Sequence, residues 1–289
     1  MDVHLVDGTY ELFRYHYAPN NRDRSHGATV GVVGTMLQLI EDGATHLGVA
    51  TDHVIESFRN DLWPGYKSSA GMPPELLDQF PAVEAALEAA GFVVWPQVAF
   101  EADDAMAAAA AVAAADGRVE RVLICTPDKD LGQCVGGKVV QLDRRKGVVV
   151  DAAGVQARLG VPPALVPDWL GLVGDSADGF PGLPGWGAKS AAAVLRRWGR
   201  LEDIPTDPLA WDAGVRAAGR LNDTLREQFD LALLFRRIAT VDLRAPVSRS
   251  VDELRWTGPP DPGGFVKLCA RLGTPGLATR AQRLASQRR

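Results

Sequence analysis

Cysteine is scarce in this chain: Cys125, Cys134 and Cys269 are odd in number and lack zinc-type spacing. Neither a disulfide framework nor a cysteine zinc site is therefore suggested, and a reducing, cytoplasmic setting is the expectation. No apolar run approaches the ~20 residues of a membrane-spanning helix. The opening run Met1-Asp-Val-His-Leu-Val-Asp7 enters a strand-like pattern at once and does not resemble a signal peptide. Lysine and arginine are absent from Ser68 to Gly117, which leaves that stretch without a basic surface.

What is present suits a folded, charged-surface protein. At 289 residues with 46% hydrophobic side chains, the chain can bury a proper core as one large domain or two small ones. Its net charge of −5 conceals an asymmetry. Residues 1–143 carry 9 Lys/Arg against 21 Asp/Glu, a balance of −12, and residues 144–289 carry 22 against 15, a balance of +7. An acidic half joined to a basic half suits a metal-loaded site beside a phosphate-gripping surface.

The pattern along the chain predicts alternating strands and helices. Val3–Val6, Leu47–Thr51, Phe92–Trp95 and Val122–Cys125 read as short buried strands, the first ending in a turn at Asp7-Gly8. Ala28–Ile40, Glu75–Ala90 and Asp103–Ala115 read as helices. That alternation predicts an α/β fold with a mainly parallel sheet and helices on both faces. In such sheets sites form beyond the carboxyl ends of the strands. Asp7, Asp52, Glu101, Asp103, Asp104, Asp128 and Asp130 all fall just after strand candidates. One aspartate there is ordinary turn chemistry. Four strands delivering acids to one edge demand a cation, because clustered carboxylates repel; oxygen ligands of this kind favour a hard divalent ion.

Lys138–Leu142 and Gly147–Val150 read as a hairpin with a basic tip at Arg144-Arg-Lys146. Prolines at 162, 163 and 167 then mark a subdomain boundary near 160–166, beyond which the chain reads as helical to about Val241. Gly182, Gly185 and Gly187, followed by Lys189 and a helix, describe a helix–hairpin–helix turn. Glycines there admit a nucleic-acid phosphate to the backbone amides at the helix start, a contact without sequence information. Trp186 reads as a packing residue, and Arg196 and Arg197 extend a basic track or form a solvated face. Asp175 and Asp178 lie immediately before the turn.

Taken together, these segments resemble the 5′-nuclease (flap endonuclease-like) family, and most the 5′→3′ exonuclease domain of bacterial DNA polymerase I. The resemblance rests on Leu5-Val-Asp7-Gly, Ser57-Phe-Arg59, Gly65-Tyr-Lys67, Glu101-Ala-Asp-Asp104, Thr126-Pro-Asp-Lys-Asp130-Leu, Gly174-Asp-Ser-Ala-Asp178 and Pro181-Gly-Leu-Pro-Gly-Trp-Gly-Ala-Lys189. It implies a PIN-like core over residues 1–165, with an arch at about 66–90, and a helical DNA-binding part over 166–289. It implies two divalent ions, Mg²⁺ or Mn²⁺, and a potassium ion at the hairpin turn. Asp52, Glu101 and Asp103 then resemble ligands of a first ion, with Asp7 acting through water. Asp128, Asp130, Asp175 and Asp178 resemble those of a second, with Asp103 or Asp104 between. Lys67 and Arg59 resemble the family's contacts to the scissile phosphate. Lys129 reads equally as a phosphate contact or a salt-bridge partner. The implied reaction is in-line phosphodiester hydrolysis between two ions about 4 Å apart.

The implied substrates are 5′ flaps and nicked or gapped duplex DNA, with RNA primers paired to DNA as further substrates and a polymerase partner acting in trans. The chain departs from the family in the non-basic stretch Ser68–Pro74, where relatives often carry cations that handle the 5′ end. It ends at Arg289, and a stand-alone nuclease is the expectation. The alternatives are a DNA-structure-binding protein with weak or no catalysis and a PIN-type ribonuclease.

Overall fold

In the computed structural model, which describes residues 1–19, 26–211 and 215–288, strands and helices alternate from the first residues. The order is β1 (Asp2–Asp7), α1 (Gly8–His16), α2 (Gly27–Glu41), β2 (His46–Asp52), α3 (Phe58–Leu62), α4 (Pro74–Leu77), α5 (Gln79–Ala89), β3 (Val93–Gln97) and α6 (Ala102–Ala115). It continues with β4 (Arg121–Cys125), β5 (Val139–Asp143), β6 (Val148–Val150), α7 (Ala152–Leu159), α8 (Val166–Val173) and α9 (Ala188–Trp198). The last helices are α10 (Ala218–Glu227), α11 (Phe229–Ala239), α12 (Pro262–Arg271) and α13 (Pro275–Ser286). No helix among the described residues is long and apolar enough to cross a membrane.

The chain packs as two units, each discontinuous in sequence. Unit 1 comprises Met1–Ile55, Ser69–Thr126 and Asp242–Arg289; unit 2 comprises Glu56–Ser68 and Pro127–Val241. This differs from the expected division near residue 165. Glu56–Ser68 and residues 127–165 pack within unit 2, and the C-terminal segment returns to unit 1. There Trp256 donates its backbone N–H to Thr45 O at 2.9 Å and its indole N–H to Ala90 O at 3.0 Å. Arg280 and Arg283 of α13 pair with Glu41 at the end of α2. Apolar periodicity reports that these helices bury a face, but not which surface receives it.

Unit 1 holds four strands in the order β3-β2-β1-β4, all parallel. Every residue of β2 is buried, as a parallel strand covered on both faces requires. Helix α6 packs on β1, β2, β3 and β4, and its buried face is alanine from Ala107 to Ala110. Small side chains let a helix axis approach a sheet closely. The region expected as an arch is different too. Leu76, Phe80, Val83 and Leu87 are all buried, so α4 and α5 belong to the core of unit 1. Nor is Asp7-Gly8 a turn: Asp7 Oδ1 accepts the Tyr10 N–H at 2.8 Å and caps α1 directly.

Unit 2 consists of the antiparallel β5–β6 hairpin, expected from sequence, and the helices around it. Its core is aromatic. Phe235 packs edge-on to Trp63 with centroids 5.0 Å apart and lies 5.6 Å from Phe180. Trp186, expected as a packing residue, is buried and donates to Leu221 O at 3.2 Å. Buried Asp168 accepts from Leu201 N–H at 3.2 Å and Arg236 Nη1 at 2.9 Å, and Arg236 also grips half-exposed Glu202. The hydrogen bond from Arg236 holds the Glu202 carboxyl down at about 2, against an ordinary 4.5. A depressed carboxyl contributes stability above its ordinary value and loses it as pH falls towards 2. Glu202→Gln should therefore cost about 0.5–1 kcal/mol at neutral pH, given the exposure of the pair. Thermal unfolding of variant and parent should converge as pH drops towards 2, and an undiminished gap there would contradict this.

Candidate metal centre and nucleic-acid surface

Unit 1 places its acids where the strands end. Asp7 and Asp52 are the last residues of the neighbouring strands β1 and β2. Glu101 lies just beyond β3 and caps α6, with Asp103 and Asp104 in that helix's first turn. Each is held by donors of its own. Asp7 Oδ2 accepts from Thr126 Oγ1 at 2.9 Å, and Asp52 Oδ1 accepts from the Ala102 N–H at 2.7 Å. The Asp52 amide donates to Thr9 Oγ1 at 2.8 Å. These bonds fix Asp7 and Asp52 against the strand ends, and both are 7% exposed.

Asp104 differs from its neighbours. It is fully buried, with Oδ2 accepting the Glu101 N–H at 3.0 Å and Oδ1 accepting the Asp242 N–H at 2.7 Å. Both oxygens thus serve backbone amides, one of them far along the chain. Asp104 is grouped with the ligands by sequence, and spacing alone does not show the two amides it holds. Sequence alone also misses Glu84. This buried residue of α5 accepts from Thr51 Oγ1 and from His53 Nδ1, each at 2.7 Å, bracketing Asp52 on either side in the chain. Glu84 sits in an alanine-rich helical run, where nothing marked it as more than a surface acid.

Unit 2 brings its acids together. Asp130, Asp175 and Asp178 each place a carboxylate oxygen within 4.8 Å of the others, the sole such His/Cys/Asp/Glu group among the described residues. The acids of unit 1 form no group of that tightness. Asp130 and Asp175 are buried, and Asp178 is half-buried. A short antiparallel bridge between Asp175 and Phe180 folds the loop back, and Asp175 Oδ1 accepts the Ala177 N–H at 2.8 Å. Exposed Asp128 accepts the Asp130 N–H at 3.0 Å. Burial first, then the charge of Asp128, pushes the Asp130 carboxyl well above the ordinary aspartate range; Lys129 opposes this, and Asp178 and Asp175 add to it. Buried Asp130 Oδ1 accepts no hydrogen bond. A converging carboxylate set with one oxygen left unbonded fits a hard divalent cation.

Two lysines stand at this cluster. Lys67 Nζ lies 3.1 Å from Asp178 Oδ1, and its backbone N–H donates to Asp178 O at 2.9 Å. Lys129 Nζ is bonded to Asp175 and lies 3.3 Å from Asp130 Oδ1. Arg59, expected as a phosphate contact, has carbonyl partners. It is 3% exposed, and its guanidinium donates to Ile238 O at 2.7 Å and Thr240 O at 3.2 Å. A cation at the C-terminal end of a helix, here α11, is favourable in itself. Local sequence around Arg59 carries no sign of a partner some 180 positions away.

The hairpin turn divides by role. Gly182 has φ +68 and is buried against Gly174; a Cβ on either would collide with the other's backbone. It is a crossing point of the chain, and the expected phosphate approach is not available at it. Gly185 and Gly187 are exposed, and a Cβ at Gly187 would meet nothing within 4 Å. The Gly187 amide is capped by Ser190 Oγ at 3.1 Å, so the next amides and exposed Lys189 are the open donors of the α9 start. Arg196 and Arg197 are exposed in the last turn of α9, roughly 10 Å along the axis from Lys189, and so cannot share its phosphate.

Comparison with known proteins divides the chain near residue 160, at the boundary expected from sequence and not along the two packed units. The sequence profile described as "5'-3' exonuclease, N-terminal resolvase-like domain" matches residues 2–160, and the one described as "5'-3' exonuclease, C-terminal SAM fold" matches residues 161–262. DNA polymerase I of Rhizobium leguminosarum is 31% identical over 97% of this chain and 28% of its own length. The chain thus spans less than a third of that relative. A 5'-3' exonuclease of Buchnera aphidicola is 29% identical over 88% of this chain and 86% of its own. Among solved structures, the bacteriophage T5 D15 flap endonuclease, in a pseudo-enzyme-product complex with DNA and metal ions, superposes with a TM-score of 0.66. It is 21% identical and covers 99% of this chain and 98% of its own, a likeness of fold: a mainly parallel α/β domain followed by a helical one.

Proposed function

The chain belongs to the 5'-3' exonuclease family, and from that premise we propose that it is a divalent-metal-dependent nuclease hydrolysing phosphodiester bonds in DNA. It removes nucleotides 5′→3′ and cuts 5′ flaps in branched, nicked or gapped duplex during replication or repair. The observation that carries this reading is the convergence of Asp130, Asp175 and Asp178 within 4.8 Å. Carboxylates gathered this closely repel unless a cation or a shared proton offsets their charge, and a divalent ion offsets all three at once.

Asp128, Asp130, Asp175 and Asp178 are the candidate ligands in unit 2, and Asp7, Asp52, Glu101 and Asp103 those in unit 1. Asp104 we assign to holding the start of α6, since two amides claim its carboxylate. All-oxygen donors favour Mg²⁺ or Mn²⁺ over zinc. Such an ion supplies charge neutralisation at a phosphate oxygen and activation of water. The chain's own groups do the rest. Lys67, half-exposed beside Asp178, balances charge developing on the scissile phosphate. The α9 start, with Gly185, Gly187 and Lys189, holds the duplex backbone away from the reacting bond and is the place for a potassium ion. Paired RNA–DNA primers, a polymerase in trans and a cytoplasmic location complete the proposal.

The direct test is cleavage of a 5′-labelled flap duplex in Mg²⁺, Mn²⁺ or EDTA, beside blunt duplex and single strand. Metal-dependent release of the flap near its junction is expected. Tight binding with no cut in either metal would favour a DNA-structure-binding protein instead.

A further inference from the structure

We propose that Lys129 is a tethered competitor for the divalent ion of the unit 2 carboxylate cluster, so that the ion binds there only by displacing the Lys129 ammonium. The inference rests on the metal-dependent reading above and adds how the site controls its own occupancy. Lys129 Nζ is bonded to Asp175 and stands 3.3 Å from Asp130 Oδ1, the two buried acids of the converging group. A cation that binds those two carboxylates occupies the same space as the ammonium. Two positive centres there repel each other steeply at this range.

The ammonium is an imperfect occupant. Asp130 Oδ1 is buried and accepts no hydrogen bond, so the lysine neutralises the oxygen without bonding it. A divalent ion, with twice the charge and no directional N–H requirement, satisfies all three carboxylates at once. Displacement is also sterically available, because the Lys129 side chain is 35% exposed on a flexible four-carbon stem. Its exchange is of charge for charge. Asp130 and Asp175 both stand against the ammonium. Once displaced, the ammonium needs another anion, and a substrate phosphate is the anion this site is proposed to receive. The two roles open to Lys129 from sequence, salt-bridge partner and phosphate contact, thus become two states of one side chain. Ion binding and substrate binding then reinforce each other.

The test is calorimetric titration of the full chain with Mn²⁺, without DNA, for the parent, Lys129→Met and Lys129→Arg. Asp175→Asn identifies which binding event belongs to the cluster. Lys129→Met should bind Mn²⁺ at the Asp175-dependent site at least tenfold more tightly, with other binding unchanged. Lys129→Arg, which keeps the charge, should stay within about threefold of the parent. Lys129→Gln provides the neutral side chain should the methionine variant fold poorly. Equal affinity in parent and neutral variants would overturn the competition while leaving the nuclease reading intact. Failure of the parent and of every Lys129 variant to bind Mn²⁺ at an Asp175-dependent site would overturn both.

Discussion

Asp175→Asn is expected to lower single-turnover flap cleavage by at least a thousandfold, a loss of about 4 kcal/mol in transition-state stabilisation, while the affinity for the flap changes by less than about threefold. The substitution keeps the side chain's shape, and the oxygen that accepts the Ala177 N–H at 2.8 Å can remain where it is. It replaces the other oxygen by an N–H₂ group that points a donor at a site where Asp130 and Asp178 gather negative charge. Ligation is lost without loss of fold. DNA affinity should persist because the α9 start and Lys189 lie outside the cluster. Cleavage rates and equilibrium binding measured on the same preparation check both halves. Retention of cleavage within tenfold would remove Asp175 from the metal centre.

Arg59→Ala should instead act on stability, lowering it by about 3 kcal/mol and the melting temperature by roughly 6–12 °C. The parent guanidinium donates to Ile238 O and Thr240 O and lies 4.6 Å over the Phe58 ring, at 3% exposure. Truncation leaves those carbonyls without their charged donor and opens space where the arginine stem packed. Lys67→Ala is the counterpart. Its ion pair with Asp178 is partly exposed, so its removal should change stability by less than about 1 kcal/mol and fall on cleavage. Thermal unfolding of the two variants separates them. An Arg59→Ala protein that melts like its parent but no longer cuts would restore the arginine to the phosphate.

The pH dependence of the metal-free protein follows from Asp130. Its carboxyl is raised by burial and by Asp128 before Lys129 moderates it. A raised acid binds its proton more tightly in the folded state, so stability falls as pH rises through that raised value. Asp130→Asn should therefore melt higher than the parent at neutral pH in EDTA, and the difference should vanish in acid. A lower melting temperature at neutral pH would show that Asp130 is stabilised as an anion.

Much of this protein was determined locally. Short apolar runs ending in acids marked β1, β2 and β4 and the parallel α/β class, because a strand buried on both faces must be apolar and its end must turn. Glycine spacing before Lys189 marked the hairpin for a similar reason: backbone without side chains has few uses. What only the tertiary structure decided was which partner each polar atom has. Asp104 looks like Asp103 in sequence, yet the amide of Asp242 claims its oxygen. Arg59 sits in a phosphate-contact motif, yet carbonyls at the end of α11 take its guanidinium. Lys129 was open between two roles until Asp175 and Asp130 met its ammonium. The return of residues 242–289 to unit 1 was equally invisible. Periodicity reports that a face is buried and which turn can follow it; a hydrogen bond or ion pair acts over about 3 Å, between residues whose separation in the chain carries no trace of it.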